Sequence, residues 1–264
     1  MRTSLKALAG AVVLSVALSS VGSAQLRAGF NGNTFGGNDD GSIGPLSFGS
    51  GVLNFFGTSY NQFYLNNNGN ITFTGPLSSY TPWGMTGGST PMIAPFFADV
   101  DTRPGPPVTY GTGTVNGYAA WGANWDDVCY YSYNCYPTNT FQLVLVDRSD
   151  VATGDFDFEF NYGTIGWDQG AVSGVSAVAG WSNGGGITPT FFQIPGAAVS
   201  TAYRDYGSNP LRYTSNVGMP GRWAWTVRNG QVEDVVPEPF SIILLGTGLA
   251  GIGLARRRRN KDVA

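Results

Sequence analysis

The sequence predicts an all-β protein, a single antiparallel β-sandwich or barrel-like domain. Three observations lead there. Short apolar runs and two-residue alternations, bounded by Gly, Pro, Asn and Ser, recur between residues 25 and 236. Nothing in that region keeps a helical period for three turns. The 39 glycines and 15 prolines stand beside 42% hydrophobic and 14% aromatic residues, the mark of a folded chain dense in turns. With 12% charged residues, long charged helices and coiled coils are excluded. A chain of 264 residues is ample for a buried core.

Residues 1–24 come first. Arg2 and Lys6 precede an apolar run from Leu8 to Leu18, and Val21-Gly22-Ser23-Ala24 closes it with small residues. This is the layout of a secretory signal peptide, with cleavage expected between Ala24 and Gln25. A Gly- and Asn-rich lead-in strand or loop, residues 25–50, opens the mature body, and the β domain is placed at 51–230. Strands are expected at 52–56, 62–65, 70–73, 92–100, 108–115, 118–124, 140–147, 156–162, 172–179, 191–194 and 223–228. Asn66-Asn67-Asn68-Gly69 reads as a hairpin turn, since Asn and Gly tolerate positive φ. In Asp155-Phe156-Asp157-Phe158-Glu159-Phe160 the rings fall on one face and the carboxylates on the other. Burial of the rings stabilises by roughly 2 to 3 kcal/mol each, and the acidic face is expected to be wet. No repeat of propeller or solenoid length is present.

After a linker at 231–239 containing Pro237-Glu238-Pro239 come the uncharged residues 240–255, then Arg256, Arg257, Arg258 and Arg259 within a basic tail at 256–264. As a helix, 240–255 spans roughly 24 Å, short of a hydrocarbon core of about 30 Å, and the arginines can snorkel to make up the rest. The basic cluster should stay cytoplasmic, which leaves the body outside the inner membrane. This three-part tail resembles the PEP-CTERM sorting signal of Gram-negative bacteria that make extracellular polysaccharide. The resemblance implies a transient membrane anchor, processing by an exosortase-type enzyme and delivery to the cell envelope or extracellular matrix. A plain permanent anchor is the alternative.

Between residues 25 and 236 there are seven arginines, no lysine and fifteen carboxylates, a formal charge of −8. Such a body repels phosphate backbones, which argues against nucleic-acid binding. The absence of histidine excludes Ser-His-Asp and Cys-His catalysis, and the body has no lysine for Ser-Lys chemistry. Gly180-Trp181-Ser182-Asn183-Gly184 has the spacing of a nucleophile elbow but no histidine to serve it. Cys129 and Cys135, the two cysteines of an exported chain, are expected to pair. The seven-residue loop they close is worth about 2 kcal/mol. Around it crowd Trp121, Trp125, Tyr130, Tyr131, Tyr133 and Tyr136. Trp121 suits the core, and the four tyrosines suit a binding surface for polysaccharide or protein.

Two carboxylate groupings remain. Asp155, Asp157 and Glu159 could serve a glycoside hydrolase, given side chains about 5 to 5.5 Å apart; a solvated strand face is the plainer reading. Asp39, Asp40, Asp99 and Asp101 offer hard oxygens of the kind Ca²⁺ takes, with turn and capping hydrogen bonds as the alternative. No other cofactor is indicated.

Six blocks in fixed order carry a second resemblance: VLNFFGTSYNQFYLNNNGNITF (52–73), MIAPFFADVDTR (92–103), NTFQLVLVDRSD (139–150), GDFDFEFNYGTIGW (154–167), AVAGWSNGGG (177–186) and GMPGRWAWTVRNG (218–230). Together they resemble the nidogen-like extracellular domain over about residues 40 to 230. The resemblance implies a non-enzymatic matrix or cell-surface module that mediates adhesion, by binding exopolysaccharide or another matrix or cell-surface ligand. A lectin or glycoside hydrolase on the same sandwich is the competing expectation. The chain departs from the family in standing alone with a bacterial sorting tail, and in the Tyr- and Cys-rich insertion at 127–137.

Overall fold

The structure is a computed structural model that describes residues 26–235. The signal peptide with its Ala24/Gln25 junction, the Pro237-Glu238-Pro239 segment, the helix at 240–255 and the basic tail lie outside the described residues. Within them every regular element is a strand. In chain order these are β1 (Asn33–Phe35), β2 (Ser42–Leu46), β3 (Leu53–Phe55), β4 (Thr58–Tyr60), β5 (Phe63–Asn66), β6 (Asn70–Thr72), β7 (Met92–Phe97) and β8 (Val100–Asp101). There follow β9 (Val108–Val115), β10 (Tyr118–Tyr130), β11 (Asn134–Asp147), β12 (Phe156–Ile165), β13 (Val178–Ser182), β14 (Phe191–Gln193), β15 (Arg222–Arg228) and β16 (Gln231–Asp234).

Two antiparallel sheets form a sandwich. The larger runs β1-β9-β10-β11-β12-β15-β16, with β8 paired beside the end of β10. The smaller runs β14-β13-β7-β6-β5-β2, and β3-β4 is a separate hairpin. Alternation sets the inner faces. On β12 Phe156, Phe158, Phe160 and Tyr162 are buried, and on β15 Trp223, Trp225 and Val227. The sheets meet through aromatic contacts: Phe63 against Trp121 at 4.8 Å, Phe96 against Phe141 at 5.1 Å, and Phe192 against Trp225 at 5.6 Å. Such edge and tilted ring pairs add about 0.5–1.5 kcal/mol each beyond the area they bury.

Turn chemistry fixes the register. Asn116-Gly117 joins β9 to β10 and Asn229-Gly230 joins β15 to β16, all four residues at positive φ, as two-residue type I′ hairpins require. The Asn66–Gly69 turn is buried rather than exposed. Gly69 has φ +74°, and a Cβ there would overlap the Phe96 carbonyl oxygen. The turn's asparagines tie neighbouring segments together: Asn66 donates to Asn70 Oδ1 and Thr72 Oγ1, and the Asn67 carbonyl accepts from Trp125 Nε1.

Three expectations need correction. The strand expected at 172–179 forms instead at Val178–Ser182, because the chain turns through Val172 and Ser173, Gly174 takes positive φ and Ser173 bonds to the Val175 carbonyl. The strand expected at 92–100 breaks after Phe97. There the Val100 N–H reaches back to the Ala98 carbonyl in a γ-turn centred on Asp99. The acidic face of β12 is not wet throughout: Asp155 and Glu159 are 1% and 6% exposed. Residues 26–32 lie across the outside of the large sheet. The Phe30 ring occupies space left free by Gly113 and Gly122 and packs beside Val115, Ala120, Val144 and Val146.

Candidate functional site

The β1–β2 loop and the γ-turn bring three of the four predicted calcium ligands together. One carboxylate oxygen from each of Asp39, Asp40 and Asp99 lies within 4.8 Å of the others. They share a cavity of about 200 Å³ whose remaining walls are Tyr80, Tyr131 and Val172. Asp40 Oδ1 accepts from Asn68 Nδ2 at 2.8 Å, and Asp39 Oδ2 faces Arg103 Nη2 at 3.1 Å. Asp99 Oδ2 and Asp39 Oδ1 are buried without a hydrogen-bond partner. Burial, and then repulsion from the neighbouring carboxylates, pushes Asp99 up to about 7 and Asp39 up to about 6.

Asp101 stands apart from this cluster, because the γ-turn breaks the alternation that would have put it beside Asp99. It holds Arg103 through both oxygens, at 2.8 and 2.7 Å, and accepts the Tyr133 N–H at 3.0 Å. Burial raises its carboxyl, but these bonds outweigh it and hold Asp101 below the usual carboxylate range.

Cys129 and Cys135 are joined, their Cα atoms 4.4 Å apart, and the bridge closes the tip of the β10–β11 hairpin. The four tyrosines around it divide. Tyr130 packs on Trp167 at 5.4 Å, and Tyr131 walls the acidic cavity. Tyr133 lies under the Arg103 guanidinium at 4.4 Å, whereas Tyr136 is 93% exposed. Trp121 and Trp125 are core. Tyr136 borders an open groove of about 710 Å³ with Pro137, Thr164, Arg204, Tyr206 and Arg212. Tyr206, fully exposed, was missed at the sequence level because it sits in a loop far from the cysteines.

The outer face of the large sheet carries a polar row, the buried Asn124, Gln142 and Asn161 and the half-buried Arg222, directly opposite one another on β10, β11, β12 and β15. Gln142 Nε2 donates to Asn124 Oδ1 at 2.7 Å, Asn161 Nδ2 to Gln142 Oε1 at 3.0 Å, and Arg222 Nε to Asn161 Oδ1 at 2.6 Å. Glu159 sits beside the row, held by Arg27 Nε and Nη2 and by Asn161 Nδ2, with Arg222 at 3.7 Å. Asp157 faces Arg148 and Arg228, and Asp155 accepts the Asn229 N–H. Asp157 and Glu159 border a shallow depression of about 490 Å³, each already bound to arginine. All seven arginines of the described residues pair with carboxylates.

Fold and sites together define a disulfide-bearing, all-β module of extracellular type. The chain belongs to the nidogen-like domain family, whose model matches residues 61–119 and 109–229. A PEP-CTERM protein-sorting motif matches residues 235–259, and with the family it marks an exported protein. Alpha-tectorin of Mus musculus is 32% identical over 229 residues, covering 74% of this chain and 10% of that protein. Dendrite extension defective protein 1 of Caenorhabditis elegans is 28% identical, covering 65% of this chain and 15% of its own length. Nidogen of Drosophila melanogaster is 26% identical, covering 71% and 15%. The chain thus spans a small fraction of the curated relatives it matches. No solved structure matches it significantly.

Proposed function

We propose that the protein is a non-catalytic adhesion module of the bacterial envelope or extracellular matrix, which holds exopolysaccharide or another surface ligand in the Tyr136–Tyr206 groove. After export across the inner membrane of a Gram-negative cell, the tail anchors it transiently until an exosortase-type enzyme acts on the Pro237-Glu238-Pro239 segment. The observation that carries the ligand role is the pair of tyrosines, 93% and fully exposed, on one groove. Leaving such rings in water forgoes burial worth about 1.5–3 kcal/mol apiece, and aromatic faces stack on sugars and anchor protein contacts. The engagement of Asp155, Asp157 and Glu159 by arginines and a backbone N–H favours this reading over a glycoside hydrolase, since hydrolysis asks both carboxyls to face the sugar.

The test is binding of the purified chain to the exopolysaccharide and cells of its host, with a reducing-sugar assay alongside. Tyr136→Ser with Tyr206→Ser should cut binding about tenfold or more while leaving the far-ultraviolet spectrum unchanged. Unaltered binding refutes the groove, and sugar release lost in Glu159→Gln refutes the non-catalytic reading. Mass spectrometry of the mature C-terminus decides the anchor, since an intact basic tail at 256–264 would end the processing proposal.

A further inference from the structure

We propose that Asp39, Asp40 and Asp99 form a calcium-binding site, separate from the tyrosine groove and independent of the adhesion reading. The donor set is all hard oxygen, with no sulfur or imidazole, which suits Ca²⁺ and Mg²⁺ over zinc or copper. Three oxygens no more than 4.8 Å apart lie no more than about 2.8 Å from a common point, within a few tenths of an ångström of the Ca–O distance of 2.3–2.6 Å, so a small side-chain adjustment lets one ion reach all three. Mg²⁺ binds at about 2.0–2.1 Å in a strict octahedron and gives up its waters reluctantly, so it fits this spread less well.

Ordinary turn hydrogen bonding does not account for the cluster. It explains Asp40 Oδ1, which Asn68 satisfies, and Asp39 Oδ2, which faces Arg103. It leaves Asp99 Oδ2 and Asp39 Oδ1 buried with nothing to accept from. Asp99 is 1% exposed, lines the cavity, and stands beside two other carboxylates. An orphaned charge of this kind is costly unless a cation meets it. Arg103 is the cation at hand, and both oxygens of Asp101 already bind it.

The surroundings are built to hold the three groups in place. Asn67 Nδ2 donates to the Asp39 carbonyl, and the Thr102 N–H binds the Asn38 carbonyl at 2.9 Å, clamping the β1–β2 loop against the γ-turn. The Asp99 carbonyl accepts the Tyr131 N–H at 3.1 Å. Gly170 makes room on the far side, since a Cβ there would overlap the Asp99 carboxylate. The cavity leaves space for water to complete a shell of six to eight oxygens.

The full chain, stripped with EGTA, is melted with about 10 mM CaCl2, with about 10 mM MgCl2 and with neither, followed by circular dichroism. An extracellular-type affinity of about 10⁻⁴–10⁻³ M predicts that calcium raises the Tm by roughly 3 to 10 °C. Magnesium should raise it by less than half as much, and Asp99→Asn should abolish the calcium response. Asp126→Asn, exposed on β10 and outside the cavity lining, should retain it. If Asp99→Asn does not fold, Asp40→Asn at the half-exposed rim carries the same test. No calcium shift in the wild type, an equal shift with magnesium, or an unchanged shift in the cavity variant each overturns the site.

Discussion

Replacing Arg27 by alanine tests whether the segment lying across the large sheet is part of the folded body or a passenger on it. Glu159 is 6% exposed and takes two guanidinium bonds from Arg27, whose side chain is 27% exposed. Hydrogen bonds to charged groups are worth about 1.5–3 kcal/mol each, and stranding a buried charge costs about 3–5 kcal/mol when nothing replaces its partner. Here Arg222 remains at 3.7 Å, Asn161 still donates, and water can enter where Arg27 lay. The expected loss is therefore about 2 kcal/mol, a fall in Tm of about 4–8 °C for a domain of this size. The backbone of residue 27 keeps its two bonds with Gln142, so the segment should stay in place. Urea unfolding followed by tryptophan fluorescence measures the loss, and a cycle with Glu159→Gln should return a coupling of about 1–2 kcal/mol. A loss under about 0.5 kcal/mol, or no coupling, refutes the claim that this pair fastens the segment.

Two further outcomes follow from the core and the turns. Gly69→Ala should leave little folded protein, whereas Gly117→Ala, also at positive φ but with open space around it, should cost about 1 kcal/mol; equal effects would mean that the close approach to Phe96 is unimportant. Burial raises the phenols of Tyr162 and Tyr203 well above their ordinary value, and Tyr162 Oη and Tyr203 Oη donate to the carbonyls of Pro95 and Ile194. These tyrosines contribute stability that is fully present below about pH 10 and is lost as pH climbs toward their folded values, because only the unfolded chain releases the protons. Absorbance at about 295 nm should show both rings titrating together with unfolding, and their earlier titration in the folded protein would contradict the burial.

Much of the sandwich is legible in the sequence where alternation is strong. The strand expected at 108–115 forms as β9, and the Phe comb of β12 turns inward as its period requires. Strands β10 and β11 run further than expected, because the hairpin ladder continues with bulges to Tyr130 and Asn134. Strands β1 and β2 fall in the lead-in read as strand or loop, because half of their residues are exposed and Gly44-Pro45 interrupts any alternation. Strand β16 escapes notice, although Asn229-Gly230, like Asn116-Gly117, is the strongest local hairpin signal available. Whether Glu159 on the acidic side of β12 meets water is not encoded in that strand at all; it depends on Arg27, more than a hundred positions earlier, being laid over it. The acidic cavity shows the same limit. Spacing pairs Asp99 with Asp101, but a γ-turn parts them and delivers Asp99 to a loop sixty residues away.

Tyr131 lies inside the ring closed by Cys129 and Cys135, and its N–H and carbonyl bond to Asp99 and Ala171. The cross-link therefore steadies one wall of the acidic chamber as well as the hairpin crest. Protein made in a reducing cytosol would reach the bench with that wall unbraced, so material for ion titrations should come from a periplasmic or otherwise oxidising host. Closing the Cys129–Cys135 bond would thereby also set the Tyr131 wall of the chamber.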